Sequence, residues 1–238
     1  MSLSELLRRA LPLSWFRSDR KAMDILAAFV CDAEHEMKSV TTALQANIEL
    51  LAYEQTKNRV SPERFKVLNR AVARLISDTN ILASVTELTM TPRVMTKFKL
   101  NGLIEEITNE TKLSFSAQGV LVATNIAAET SLSGSADALK LMLKETVLTL
   151  LQECKRLETM SITGKTERKG ISLVFQAGDN GNHGKFVDWQ LGKLRLNPSN
   201  GEGISLAAVD AIARVHYGQL SVKTLENERH QYRLLFNT

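Results

Sequence analysis

Three places in this chain combine residue types that can do chemistry. His35 is followed by Glu36. A neutral imidazole nitrogen is a nucleophile toward a phosphoryl group, and the neighbouring carboxylate can hold the second ring nitrogen or accept its proton. Asp179-Asn180-Gly181 follows an apolar run. There Asp179 can accept a hydrogen bond from a ligand's amino group, while Gly181 and Gly184 let the backbone approach that ligand. Gly201-Glu202-Gly203 precedes a helical stretch whose free N–H groups can face phosphates. Each signal has an ordinary reading as well. A histidine on an outward helix face is most often just solvated, and paired glycines are most often turn punctuation. His183, His216 and His230 show no ligand spacing with one another or with cysteine, so zinc and nucleophile-triad chemistry have little support.

The elements that must position these residues are legible from periodicity. Met23, Leu26, Val30, Ala33, Met37, Val40, Leu44 and Leu51 follow one another in a heptad-like seam, interrupted at Asn47. That spacing predicts a long bundle helix with His35 on the face opposite the seam. The Lys57 to Pro62 stretch ends it, and Ser61-Pro62 is suited to start a second helix. That helix, about Pro62 to Leu88, carries Leu68, Val72, Leu75, Leu82 and Val85 and can fold back antiparallel on the first. Two such helices bury little alone, so a homodimer forming a four-helix bundle is expected.

Pro92 marks a linker. Beyond it the texture becomes strand-like runs alternating with helices: strands at Phe98 to Leu100, Gly119 to Ile126, Met160 to Lys165, Ile171 to Ala177, Gln219 to Thr224 and Gln231 to Phe236. Helices are expected over Asn101 to Phe115, Ala136 to Leu157 and Gly203 to Tyr217. The fold class is therefore α+β: a helical hairpin followed by an α/β sandwich with helices on one side of a mixed sheet. The expected divisions are a basic amphipathic leader over 1–20, the hairpin over 21–92 and the sandwich over 93–238.

Composition narrows the function classes. The 238 residues are 44% hydrophobic and 24% charged, as in ordinary soluble globular proteins. The net charge of +4 is interleaved rather than blocked, so no nucleic-acid partner is expected despite a pI near 9.1. Arg8, Arg9, Arg17, Arg20 and Lys21 alternate with Leu6, Leu7, Leu11, Leu13, Trp15 and Phe16 in the leader. Such a segment suits a membrane surface, a partner groove or the protein's own bundle. No apolar run is long enough to span a bilayer, and the expectation is a cytoplasmic protein without a transmembrane segment. Cys31 and Cys154 lie in apolar helical patterns and read as reduced, buried small hydrophobes.

The stretch His35-Glu36-Met37-Lys38-Ser39-Val40-Thr41-Thr42-Ala43-Leu44 resembles the phosphoacceptor box of sensor histidine kinases, with Val40 where that family has a proline. The second half resembles the kinases' ATP-binding domain, of the GHKL type, in the same order. Asp137 stands where the asparagine-motif helix begins, and Asp179-Asn180-Gly181 resembles the Asp-x-Gly box. Gly201-Glu202-Gly203-Ile204-Ser205-Leu206 resembles the second glycine box, and Val209 and His216-Tyr217-Gly218 continue the likeness. The resemblance runs from about residue 25 to the end. It implies that His35 is the phosphoacceptor assisted by Glu36, and that Asp179, Gly181, Gly201 and Gly203 line a nucleotide site.

The departures shape the functional expectation. Thr149 and Glu153 stand at the family's two asparagine positions, His183 and Ser205 replace glycines, and only about twenty residues separate the glycine boxes. Glu153 can bind magnesium in principle, yet it repels a triphosphate unless the metal lies between them. The nucleotide site thus reads as vestigial. This pattern resembles the dimeric histidine phosphotransferases, a likeness that implies a phosphorelay through His35 between response-regulator receiver domains. In that reading no cofactor is held tightly, ATP is not required, and the regulator supplies Mg2+. An ATP-dependent kinase lacking its own sensor and a non-catalytic scaffold or inhibitor remain the alternatives.

Overall fold

The structure, a computed structural model, describes residues 20–56, 62–90, 96–168, 170–178, 186–188, 202–225 and 229–237. The chain divides into two compact units, Met1–Glu87 and Leu88–Thr238. The leader over 1–19 and the Pro92 linker lie outside the described residues.

The first unit contains two long helices, α1 (Arg20–Thr56) and α2 (Pro62–Met90). On α1 Phe29, Val30, Ala33 and Val40 are buried, and on α2 Ile81 and Val85. Within each helix these fall at helical spacing on one side, as the seam requires. The buried positions occupy the first half of α1 and the second half of α2, the parts that an antiparallel pair sets side by side. The opposite halves differ: Ile48, Leu50, Tyr53, Phe65, Val67, Val72 and Ile76 are exposed. Val72, expected on the inner seam, is among them. Asn47, which interrupts the seam, donates its side-chain amide to the Ala43 carbonyl at 2.8 Å.

The second unit is a mixed sheet with helices packed on it. Its strands are β1 (Thr96–Lys99), β2 (Leu121–Ile126), β3 (Ser131–Gly134), β4 (Thr159–Glu167), β5 (Gly170–Ala177), β6 (Val187–Asp188), β7 (Gly218–Thr224) and β8 (His230–Asn237). The helices are α3 (Leu100–Glu110), α4 (Lys112–Gln118), α5 (Ala136–Glu153) and α6 (Glu202–Val215). Six strands form one sheet in the order β2-β4-β5-β8-β7-β6, with β2 parallel to β4 and the other pairs antiparallel. β1 and β3 form a separate antiparallel pair. The expected helix over Asn101 to Phe115 is two helices instead. Thr111 breaks it at φ −93°, ψ 2°, with its hydroxyl donating to the Ile107 carbonyl at 2.7 Å.

Helix α5 is the centre of the core. Leu139, Met142, Leu143, Val147 and Leu150 are each at most 1% exposed, and the helix packs against β5, β8, α3 and α6. The sheet supplies Met160, Ile162, Leu173, Phe175, Tyr232 and Leu234 to the same core. At the β4–β5 turn Gly170 has φ +144°, and a Cβ there would lie 1.8 Å from the Phe236 carbonyl oxygen, so only glycine fits. Leu143→Ala is expected to destabilise the domain by about 2–5 kcal/mol in urea unfolding. Leu113, 86% exposed on α4, is the control: its change to Ala should stay within about 0.5 kcal/mol.

Candidate functional site

Two sets of residues are in question, one in each unit. In the helical unit, position 35 lies within α1, on the side of the helix away from the stripe of Phe29, Val30, Ala33 and Val40. The side chains of His35 and Glu36 lie outside the described residues. Their neighbours are described. Lys38 Nζ pairs with Glu34 Oε1 at 2.9 Å across one turn. Thr41 and Thr42 donate their hydroxyls back to the Met37 and Lys38 carbonyls at 2.7 and 2.8 Å. Those bonds engage the backbone within the box, at the turn where Val40 stands in place of a proline, and such back-bonding commonly bends a helix.

In the sheet unit, β5 ends at Ala177 and Gly178 turns away in the left-handed region at φ +69°. Asp179 is the next residue, but Asp179, Gly181, His183 and Gly201 lie outside the described residues. Gly203 is in the first turn of α6, so that part of the second glycine box does begin a helix.

Glu153 is the last residue of α5, and both of its oxygens face β8. Oε2 accepts the His230 backbone N–H at 2.6 Å. Oε1 lies 3.1 Å from His230 Nδ1 and accepts the Tyr232 hydroxyl. The carboxylate therefore ties the end of α5 to the sheet. Thr149, one turn earlier, is 2% exposed. Among the described residues no group of three or more His, Cys, Asp or Glu gathers to hold a metal ion.

Sequence reasoning passed over Glu145. It lies one turn before Thr149, and its Oε2 accepts a hydrogen bond from Ser205 Oγ at 2.9 Å, in the first turns of α6. A carboxylate beside the start of a helix meets the unpaired N–H groups and the positive end of the dipole, the same features that attract phosphate. Burial pushes the Glu145 carboxyl above its ordinary 4.5, opposed by the Ser205 hydrogen bond and by Lys144. The available signal was a glutamate immediately before the uncharged run Thr146 to Leu151, matched to a serine that replaces a glycine.

The remaining polar contacts are architectural. The Ser135 N–H donates to His216 Nε2 at 3.2 Å, so that nitrogen carries no proton and Nδ1–H is donated to the Ile212 carbonyl at 2.8 Å. His216 is thus a neutral pin between α5's entry and α6. Cys154, expected to be buried, is half-exposed just past α5, because the helix stops at Glu153. Burial, with Glu158 nearby, pushes its thiol up to about 11, so it stays protonated at neutral pH. No helix among the described residues is long and apolar enough to cross a membrane.

The architecture has close parallels among solved structures. The Acinetobacter baumannii histidine kinase AdeS superposes with a TM-score of 0.58 at 13% identity, over 85% of this chain and 97% of that one. The histidine kinase ThkA, in complex with response regulator protein TrrA, reaches a TM-score of 0.63 at 16% identity over 94% of this chain and 66% of that one. The fold is that of the histidine kinases. The mycobacterial sensor histidine kinase MprB also matches, with a TM-score of 0.50 and 11% identity over 60% of this chain and 97% of that one. No protein-family model and no curated protein sequence matches, so the likeness to the histidine-kinase fold is one of structure.

Replacing Glu145 by Gln keeps an acceptor for Ser205 and removes the buried charge. A raised carboxyl pKa means that the cost of ionising Glu145 is fully present above that pKa and fades as pH falls toward 4.5. Glu145→Gln should therefore raise stability at pH 7–8, with a gain that shrinks as pH falls through the raised value. Denaturant melts of both proteins across this range measure it.

Proposed function

We propose that this protein is a two-component phosphotransfer protein on a histidine-kinase scaffold, in which His35 takes its phosphoryl group from a response-regulator aspartate rather than from ATP. The observation that carries the reading is the Glu145–Ser205 contact. It places a half-buried carboxylate beside the first turns of α6, where a nucleotide's phosphates would need a positive, open helix end. Glu153, which the sequence offers as a position for a metal, uses its oxygens on His230 and Tyr232. The residues described here therefore fit a magnesium–nucleotide poorly, and no step of the reaction is routed through one.

In the relay a neutral His35 nitrogen attacks the phosphorus of an aspartyl phosphate. A P–N bond forms, the P–O bond to the aspartate breaks, and the carboxylate leaves on the regulator, which supplies Mg2+ and the acidic pocket. The imidazole proton passes to Glu36 or to water. Return of the phosphoryl group to a second receiver is the reverse reaction. ThkA's complex with a response regulator is one instance of this scaffold meeting such a partner.

An ATP-dependent kinase is the second reading, and one observation favours it. AdeS and ThkA, which share the fold over most of this chain, are histidine kinases. Against a cognate receiver domain carrying labelled aspartyl phosphate, the relay predicts label on the wild-type protein and none on His35→Gln. Absence of label on the wild type would remove the relay reading.

A homodimer is part of the proposal. Ile48 and Tyr53 on α1 and Phe65 and Ile76 on α2 are each more than half exposed, an apolar surface that a second hairpin would cover. Ile48→Asp combined with Ile76→Asp should shift the protein from dimer to monomer in sedimentation velocity. A monomeric wild type would contradict the four-helix bundle.

A further inference from the structure

The face of the sheet turned away from the core residues carries a polar square that the site described above does not use. Side chains alternate along a strand, so Leu220 and Val222 on β7 and Tyr232 and Leu234 on β8 enter the core. Ser221, Lys223, Gln231 and Arg233 lie on the other face. The register sets Ser221 opposite Arg233 and Lys223 opposite Gln231, which makes the two cations diagonal neighbours. A polar face of this kind is ordinarily solvated, yet Ser221 is 2%, Lys223 3% and Gln231 9% exposed.

Both cations converge on one ring. Arg233 Cζ lies 4.3 Å and Lys223 Nζ 5.9 Å from the centroid of Phe186, which immediately precedes β6. Neither forms an ion pair with a carboxylate among the described residues. Arg233 Nε is buried without a hydrogen-bond partner. Gln231 is held in place by donating its amide to Gln176 Oε1 at 2.7 Å, and Gln176 in turn donates to the Gly178 carbonyl at 3.2 Å. Two like charges taken out of water and set side by side are costly unless an anion lies between them. Cation–π contact with a single ring compensates only part of that.

We propose that Lys223 and Arg233, with the Ser221 hydroxyl between the strands and Phe186 at the lip, form a binding site for a phosphate group, free or carried by a small monoester. Arg233 and Phe186 are half-exposed and provide the way in. The one carboxylate that the register sets on this face, Asp188 opposite Ser221, is exposed on β6 and pairs with neither cation; two cations and a hydroxyl match the charge and the several acceptor oxygens of a phosphate dianion better than a single carboxylate does.

The test uses the full chain in phosphate-free buffer, titrated at constant ionic strength with inorganic phosphate, with phenyl phosphate and with acetate. Melting temperature and the amide resonances of Ser221 and Lys223 are followed. The site predicts a saturable rise in melting temperature with phosphate and loss of about tenfold or more in affinity in Arg233→Gln, which removes one charge-assisted contact. Tighter binding of the ester than of phosphate assigns the ligand as a monoester, and the reverse assigns the free anion. Lys223→Met, in a buried position, is the second variant, expected to be at least as stable as the wild type without phosphate and to respond to it weakly. No saturable response in the wild type, an equal response to acetate, or an undiminished response in both variants overturns the proposal.

Discussion

Helix α5 lies with Leu139, Met142, Leu143, Val147 and Leu150 almost wholly out of water, wedged between the sheet and its neighbours α3 and α6. A helix packed on that many sides has few positions left for polar chemistry. Its polar residues must either reach an edge or be satisfied inside the domain. Lys140 and Lys144 reach the edge and pair with Glu106 and Glu110 on α3. Glu145 and Glu153 turn inward, to Ser205 on α6 and to His230 and Tyr232 on β8. What the domain can bind depends on this division, because the carboxylates are committed to holding α5, α6 and β8 together.

Much of the fold was legible in the sequence because its periodicities are strong. The seam from Val30 to Val40 emerges as a buried stripe, and the runs Met160 to Lys165, Ile171 to Ala177, Gln219 to Thr224 and Gln231 to Phe236 emerge as strands β4, β5, β7 and β8. What escaped depends on contacts remote in sequence. Ser131–Gly134 has little strand character of its own and is extended by pairing with Thr96–Lys99. The two-residue β6 is set by its partner β7 in the same way. Thr111 is an ordinary helix residue by propensity, and the same back-bond from Thr146 leaves α5 unbroken, so residue type alone does not encode the break.

The candidate site was legible in a different way. His35 and the glycine boxes stood out through their order along the chain, whereas Glu145 did not, since a glutamate in a helix ordinarily reads as a solvated residue. Its burial is a tertiary fact, created when α6 brings Ser205 against it. Glu153 shows the converse. It was picked out as a position for a metal, and its hydrogen bonds run to the sheet. The alternating polar residues of β7 and β8 would likewise pass for a wet face until Lys223 is found almost fully covered.

These features make the source of the phosphoryl group the central question about His35. A scaffold with the histidine-kinase fold ordinarily suggests ATP, whereas the relay we propose, from the Glu145–Ser205 contact, takes the group from a partner protein. Incubation of the purified full chain with γ-labelled ATP and magnesium decides between them most directly. The account predicts no stable label on the protein, in wild type and His35→Gln alike; acid-labile label on the wild type that disappears in His35→Gln would contradict it.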